Sequence, residues 1–285
     1  YPPAARSGLI ARRRLGEMLI QHGLPRLVLV TAAAGYGKTT LLAQYFDFLQ
    51  REDYRCVWFS VDRSDAEPAE FLRYLINALR NEIPDLGEKS LRTLESRSQI
   101  DPADIVIDLI NGLAQCDREV AIFLDDFHHI ESGVVTEIVG AFIAHAPSNL
   151  HFLLASRSVP NLPIASLRAH AQVVAISAED LRFNAEEAGR FLRDARGLDM
   201  SDEQVQGLCS RTEGWVAGLQ LASLSLDHAE RRDDFLQSFS GEARDVAEYL
   251  ALDVLKRLAP DLQEFLLHTS ILERLSADSC GSIVG

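Results

Sequence analysis

Five short runs of apolar residues mark the first 176 positions: Leu27-Val-Leu-Val-Thr31, Cys56-Val-Trp-Phe-Ser-Val61, Val120-Ala-Ile-Phe-Leu124, Leu150-His-Phe-Leu-Leu-Ala155 and Gln172-Val-Val-Ala-Ile176. Runs this short and this continuous predict strands buried on both faces. Between them the apolar residues change period. Leu41, Leu42, Tyr45, Phe46 and Leu49 recur at helical spacing, as do Phe71, Leu75 and Leu79, with Leu72, Ile76 and Ile83 alongside. Val106, Leu109, Ile110 and Leu113 form another stripe, and Val134, Ile138 and Phe142 a fourth. Strands alternating with helices predict an α/β fold, a parallel sheet flanked by helices. The polar stretch 84–104, with two prolines, reads as a loop.

After about residue 178 no further strand-like run occurs. Asn184 with Glu187, and Ser201 with Gln204, have the spacing of capping boxes and predict two helix starts. Trp215, Leu219 and Ala222 begin another stripe, and 245–257 and 260–268 suggest two more helices. This organisation predicts an NTPase-sized α/β domain over 1–178, a small helical module over 179–240, and the start of a further module over 241–285.

The segment Ala32-Ala-Ala-Gly-Tyr-Gly-Lys-Thr-Thr40 lies between the first strand and the first strong helix. It fits the phosphate-binding P-loop pattern closed by Gly-Lys-Thr, with Ala32 where the first glycine usually stands. Strand, loop and helix come in the order that aims backbone N–H groups and a helix N-terminus at phosphate. Ala34, Gly35, Tyr36, Gly37, Lys38, Thr39 and Thr40 are therefore candidate nucleotide ligands. Lys38 would bridge the terminal phosphates, and the Thr39 hydroxyl would ligate Mg²⁺. No Asn-Lys-x-Asp stretch occurs, which favours ATP over GTP.

The rest of the expected machinery lies at strand ends. Asp125-Asp126 closes the third apolar run: Asp125 is the candidate second Mg²⁺ group, and Asp126 the residue that orients or deprotonates an attacking water. Arg157 follows the fourth run, at the sheet edge where ligands of such folds collect, and is a candidate sensor of the γ-phosphate. Asp62 and Asp65, after the second run, are candidates for touching metal or water, with simple strand-end carboxylates as the alternative. His128 is a candidate substrate contact or a structural hydrogen-bonding group. Trp215 packs near the base or in the core.

Composition adds limits. The chain has 285 residues, 25% of them charged and 47% hydrophobic, an ordinary globular balance. No run approaches the ~20 apolar residues of a membrane span, and no secretory hydrophobic core opens the chain. Cys56, Cys116, Cys209 and Cys280 are far apart and form no metal-ligand spacing, which predicts reduced thiols and a cytoplasmic setting. Net charge is −14, but residues 1–26 carry five arginines against Glu17. An acidic body is a poor non-specific binder of nucleic acid. The Arg12–Arg14 cluster is a candidate for neutralising a nucleotide, with Arg14 among its ligands, or for touching a partner. A solvated charged face is the alternative.

Ala-Gly-Tyr-Gly-Lys-Thr-Thr-Leu at 34–41, Trp58-Phe-Ser-Val-Asp62, Leu124-Asp-Asp-Phe-His128, Ala155-Ser-Arg157, Leu181-Arg-Phe183 and Gly214-Trp-Val-Ala-Gly-Leu-Gln-Leu221 occur in this order. Together they resemble the MalT-type regulators, large ATP-dependent LuxR-family transcriptional activators of the STAND class of P-loop (ASCE) NTPases. The resemblance runs from Leu9 to Leu275. It implies an NTPase module, a helical module and a winged helix, followed elsewhere by a repeat domain that senses inducer and a DNA-binding domain. It also implies a switch with slow ATPase activity: ADP in a closed resting state, ATP with inducer permitting self-association. By position, Gly37, Lys38 and Thr39 bind phosphate and Mg²⁺, Asp125 is the Walker-B residue and Arg157 the sensor. The Trp215 segment packs by adenine, and Arg12–Leu15 leads into the nucleotide pocket. The readings that compete with a regulatory ATPase are a P-loop metabolic kinase, an AAA-type remodelling ATPase and a nucleotide-binding scaffold without turnover.

Overall fold

The computed structural model describes residues 2–3, 9–20, 23–95, 101–130, 133–228 and 260–269. Five strands form one parallel sheet: β1 (Leu27–Thr31), β2 (Arg55–Ser60), β3 (Val120–Asp125), β4 (Leu150–Ser156) and β5 (Val173–Ile176), in the order β2-β3-β4-β1-β5. Each matches an apolar run of the sequence. The helices are α1 (Arg13–Ile20), α2 (Lys38–Arg51), α3 (Pro68–Arg80), α4 (Glu88–Glu95), α5 (Pro102–Leu113), α6 (Val134–His145), α7 (Ala165–Ala169), α8 (Ala178–Leu181), α9 (Ala185–Gly189), α10 (Asp202–Arg211), α11 (Val216–His228) and α12 (Pro260–Thr269).

Alternate strand residues face opposite sides of the sheet, so each strand feeds two cores. Leu27, Leu29, Val57, Ile122, Leu124, Phe152 and Leu154 pack with Phe71 and Leu75 of α3, Val106 and Leu109 of α5, and Ile138 and Phe142 of α6. Val28, Val30, Trp58, Phe123 and Leu153 face the other way, onto Leu41, Leu42, Tyr45 and Phe46 of α2 and Leu15 of α1. On that side Trp58 stacks on Phe123 with ring centroids 5.6 Å apart, and Phe46 meets both rings edge-on. The strand that feeds the glycine loop and the strand that ends in the acidic pair are thus separated by β4. The C-terminal ends of β1, β4 and β3 lie side by side, and ligands of open α/β sheets bind at such ends.

The stretch read as a loop over 84–104 departs from that expectation. Residues 88–95 form α4, whose Leu91 and Leu94 pack against the core, and Pro102 begins α5 rather than breaking the chain. Two apolar positions in eight residues give too weak a period to read from sequence. Proline at the first helical position lacks only an N–H that no intrahelical carbonyl needs. Asp101 completes that start by accepting from the Ala103 N–H at 2.9 Å.

Beyond β5 the described residues are helical. Phe183, Ala188, Phe191, Leu192, Val205, Leu208, Leu219 and Ala222 make a third core of their own. Both capping boxes form: Asn184 with Glu187 opens α9, and Ser201 with Gln204 opens α10. Replacing Ser201 with Ala removes one acceptor for the Gln204 N–H and is expected to cost about 1 kcal/mol. A lowered urea midpoint with unchanged slope is the check. The expected helix at 245–257, and the module expected over 241–285 apart from α12, lie outside the described residues. Cys56, Cys116 and Cys209 are free thiols, and Cys280 is also outside the described part.

Candidate functional site

The site is built on α2. Its N-cap, Gly37, sits at φ 81°, and no side chain caps the helix. A left-handed residue costs glycine little. The uncapped first turn leaves backbone N–H groups open to an anion. Lys38 begins the helix, is 8% exposed and donates from Nζ to the Ala33 carbonyl at 3.0 Å, so its ammonium lies back across the loop.

Thr39 links this loop to the acidic strand. Its hydroxyl donates to Asp125 Oδ1 at 3.1 Å, and the same oxygen accepts the Asp126 N–H at 3.0 Å. Asp125 is 3% exposed. Burial first, and the neighbouring Asp126 carboxylate second, push its carboxyl up to about 6, against the opposing pull of Thr39 and Lys38. A carboxylate so poorly compensated, facing a hydroxyl at the mouth of an anion-binding loop, is a donor pair suited to Mg²⁺. That ion takes one or two protein oxygens and completes its shell with water and phosphate. Among the described residues no cluster of three or more His, Cys, Asp or Glu side chains forms a metal cage. The Thr39 and Asp125 oxygens fit a cation that completes its shell with other ligands.

Asp126 adopts φ 55°. This left-handed geometry is uncommon outside glycine, though Asp is among the residues that tolerate it. The Asp126 carboxylate is 45% exposed, whereas its neighbour Asp125 is buried. His128 follows in the 3₁₀ turn Phe127–Ile130, its Nδ1 3.8 Å from Asp126 Oδ1 and without a hydrogen-bond partner. Burial, then His129, then Arg157 lower its pKa to about 4, with Lys38 adding to the effect, so the ring is neutral at physiological pH. Arg157 follows Ser156, which pairs with Thr31 and accepts the Ala32 N–H at 3.3 Å.

Three candidates have other partners. Asp62 and Asp65 form a capping box: Asp62 Oδ1 accepts from Ser64 at 2.7 Å, and Asp65 Oδ2 accepts the Asp62 N–H at 2.8 Å. Their role is to turn the chain after β2. Arg14 lies at the seam between α1 and the α8–α9 corner, where its Nη2 donates to the Asp180 carbonyl at 2.6 Å and stands 4.0 Å from Glu187. His129 Nδ1 meets the Val61 carbonyl at 2.9 Å, a structural tie.

Trp215 lies on the loop itself. Its indole Nε1–H donates to the Ala34 carbonyl at 3.3 Å, and the Ala217 N–H donates to the Gly35 carbonyl at 3.0 Å. The helical module is therefore bonded directly to the glycine loop. Sequence reasoning missed Ala217 here, because a backbone donor carries no side-chain signature. It also missed the second use of Glu187. One of its oxygens caps α9, and the other pairs with Arg12 at 3.1 Å, both side chains nearly fully buried. The capping spacing flagged Glu187, but nothing local points to a partner 175 positions away.

Residues 12–155 match the AAA ATPase domain family, and residues 251–285 match the MalT winged helix domain. The serine/threonine-protein kinase PknK of Mycobacterium tuberculosis is 32% identical over 286 residues, covering 100% of this chain and 26% of its own length. The HTH-type transcriptional regulator MalT of Klebsiella pneumoniae is 30% identical over 275 residues, covering 94% of this chain and 29% of its own, and that of Yersinia enterocolitica is 29% identical over 278. The chain thus spans between a quarter and a third of the length of these relatives. Among solved structures, the Walker-type ATPase PABY2304 of Pyrococcus abyssi aligns with TM-score 0.56 at 14% identity, over 95% of this chain and 82% of that one. The Aeropyrum pernix ORC1 protein, solved in complex with DNA, aligns with TM-score 0.53 at 14% identity over 95% and 75%. Both likenesses concern the fold. With the loop, the acidic strand end and the parallel sheet in the arrangement of a P-loop NTPase, the chain belongs to the AAA ATPase domain family, in the MalT-type form that carries MalT winged-helix sequence behind it.

Proposed function

We propose that this chain is the ATP/ADP-binding switch portion of a STAND-class, MalT-type transcriptional regulator, with slow ATP hydrolysis. The observation that supports it most is the Thr39–Asp125 hydrogen bond, which ties the phosphate loop to a buried acidic strand end beside an uncapped helix. In this reading the N–H groups of Ala34 to Thr40 and the α2 N-terminus hold the phosphates. Lys38 exchanges the Ala33 carbonyl for a phosphate oxygen. Thr39 and Asp125 would hold Mg²⁺, which would supply neutralisation of charge on the phosphates. Asp126, 45% exposed beside its buried neighbour, orients the attacking water, and Arg157 answers to the γ-phosphate. Moving a two-state element from 1:99 to 99:1 takes about 5.5 kcal/mol of differential binding, within reach of a few charge-assisted contacts.

The match to both a regulator and a kinase over this stretch supports a shared switch rather than a shared output. Self-association in the ATP state, and inducer and DNA recognition through further domains, belong to this proposal, as does a cytoplasmic setting. Among the described residues no helix is long and apolar enough to cross a membrane.

The test is to denature the purified protein, identify released nucleotide by chromatography, and titrate ADP and ATP calorimetrically. Co-purified ADP with turnover slower than exchange supports the switch. Rapid multiple turnover from an empty pocket points instead to a remodelling motor, and phosphorylation of a small acceptor to a metabolic kinase. Lys38→Met is expected to weaken ADP and ATP binding by about ten- to a hundredfold, the worth of a hydrogen bond to a charged group. Affinity within twofold of wild type would remove Lys38 from the phosphate site.

A further inference from the structure

The loop that would hold phosphate is gripped from behind. Ala34 and Gly35 offer their carbonyls to the indole N–H of Trp215 and the backbone N–H of Ala217. The approach is close: a Cβ on Gly35, whose φ is +79°, would stand 2.7 Å from the Ala217 Cβ and 2.9 Å from Trp215 Nε1. The start of α11 is itself pinned. Gly214 takes φ +68°, its carbonyl accepts the Phe183 N–H at 2.8 Å, and a Cβ there would lie 2.3 Å from the Phe183 oxygen. Trp215 therefore projects from a turn with little freedom to shift.

Peptide geometry gives these bonds a consequence. In a planar trans peptide the C=O and the following N–H point in opposite directions. The Ala34 carbonyl shares its plane with the Gly35 N–H, and the Gly35 carbonyl shares its plane with the Tyr36 N–H. Fastening both carbonyls to α11 turns both N–H groups away from α11. Successive N–H groups turned the same way make an anion-binding concavity.

We propose that Trp215 is a positioning residue for this loop: with the Ala217 amide it holds the Ala34 and Gly35 carbonyls outward, so that the Gly35 and Tyr36 N–H groups face an oligophosphate. The proposal rests on the nucleotide-binding reading and deepens it. Trp215 acts through the loop and not on the base. By linkage, whatever lifts α11 off the loop weakens phosphate binding, and phosphate binding tightens α11 on the loop by the same factor.

The experiment compares wild type with Trp215→Phe, which keeps an aromatic ring and removes the N–H. The probes are ADP, inorganic tripolyphosphate and adenosine, each titrated against the full chain. Trp215→Phe is expected to weaken ADP and tripolyphosphate by about three- to tenfold, the loss of one hydrogen bond, and to leave adenosine unchanged. Equal weakening of ADP and adenosine would overturn the proposal in favour of a contact with the base. Unchanged affinity for all three would overturn it outright. Failure of wild type to bind either phosphate probe would instead strike the nucleotide reading. Should Trp215→Phe not fold, hydrogen exchange on wild type decides: tripolyphosphate is expected to slow exchange at the Ala217 amide, adenosine to leave it alone, and no slowing by tripolyphosphate overturns the proposal.

Discussion

Replacing Arg12 with Met is expected to destabilise the protein by about 3–5 kcal/mol, the cost of stranding one member of a buried ion pair. Arg12 Nε lies 3.1 Å from Glu187 Oε1, with side-chain exposures of 6% and 3%. Its Nη2 donates to the carbonyls of Leu181 at 2.9 Å and of Asp180 and Arg182 at 3.3 Å, and the guanidinium covers the Phe183 ring at 4.8 Å. Burial lowers the Arg12 pKa and Glu187 opposes that, but the group keeps its charge because guanidinium ionises so far above neutrality. One planar fork thus satisfies a carboxylate and three carbonyls around the end of α8, of which Asp180 also accepts from Arg14. Methionine matches the volume and supplies no donor.

In a chain of this size the loss is expected to lower Tm by roughly 6–15 °C. The double variant Arg12→Met with Glu187→Gln is expected to recover part of it, because a neutral amide still accepts the Asn184 N–H. Arg12→Lys is expected to rescue poorly, since an ammonium cannot copy the fork. Arg14→Ala is the control. That side chain is 43% exposed and 4.0 Å from the carboxylate, so about 1 kcal/mol or less is expected. An Arg12→Met loss no larger than the Arg14→Ala loss would show that the seam is not a buried pair in solution.

The second large effect runs in opposite directions for stability and activity. Asp125→Asn keeps an oxygen to accept the Thr39 hydroxyl and the Asp126 N–H, and it removes a charge that burial and Asp126 both disfavour. The shift to about 6 corresponds to about 3 kcal/mol at most. In metal-free buffer the variant is therefore expected to be more stable than wild type at neutral pH. The sign follows from proton binding. Unfolded, the carboxyl releases its proton near the ordinary aspartate range; folded, it holds the proton until about 6. Between these values the native state binds more protons. This contribution to wild-type stability is therefore complete below about pH 4 and is lost as pH rises through the folded value. The gap between variant and wild type is expected to open across that window and to stay constant above it.

With ATP and Mg²⁺ the same substitution is expected to lower turnover roughly a thousandfold, the several kcal/mol that a metal ion contributes to charge stabilisation. Thermal melts in EDTA from pH 4 to 8 and a phosphate-release assay read the two effects separately. A variant no more stable than wild type at pH 8, or turnover within tenfold, would show that Asp125 does not bear this burden.

Much of this site was legible along the chain. Each strand is a buried apolar run, and parallel strands need no polar face, so period and length sufficed. Ala34 to Thr40 announce themselves because a phosphate loop is local: its donors are consecutive backbone N–H groups, and its glycines and lysine fall within one turn and one helix start. Asp125, Asp126 and Arg157 could be singled out as candidates because strand ends in such a sheet point to one edge. The capping boxes were legible for the same reason, since both halves lie three residues apart. Helix α4 escaped because Leu91 and Leu94 are its only apolar residues, and its buried residue, Ser90, looks solvated in sequence.

What tertiary structure alone decided is the set of contacts between distant segments. Local spacing left Asp62 and Asp65 equally fit for metal or for a turn, and only their mutual hydrogen bonds assign them to the turn. Arg12 and Arg14 look alike in sequence; folding buries one against Glu187 and leaves the other half exposed. Trp215 reads as an aromatic on a helix, for base or core. Its bond to the Ala34 carbonyl depends on a left-handed turn at Gly214 and on a glycine at 35 small enough to let α11 approach. Sequence determines short-range geometry because covalent reach limits the partners. Which donor meets which acceptor across 175 or 181 positions is settled only when two cores close on each other and every polar group caught between them must find a partner.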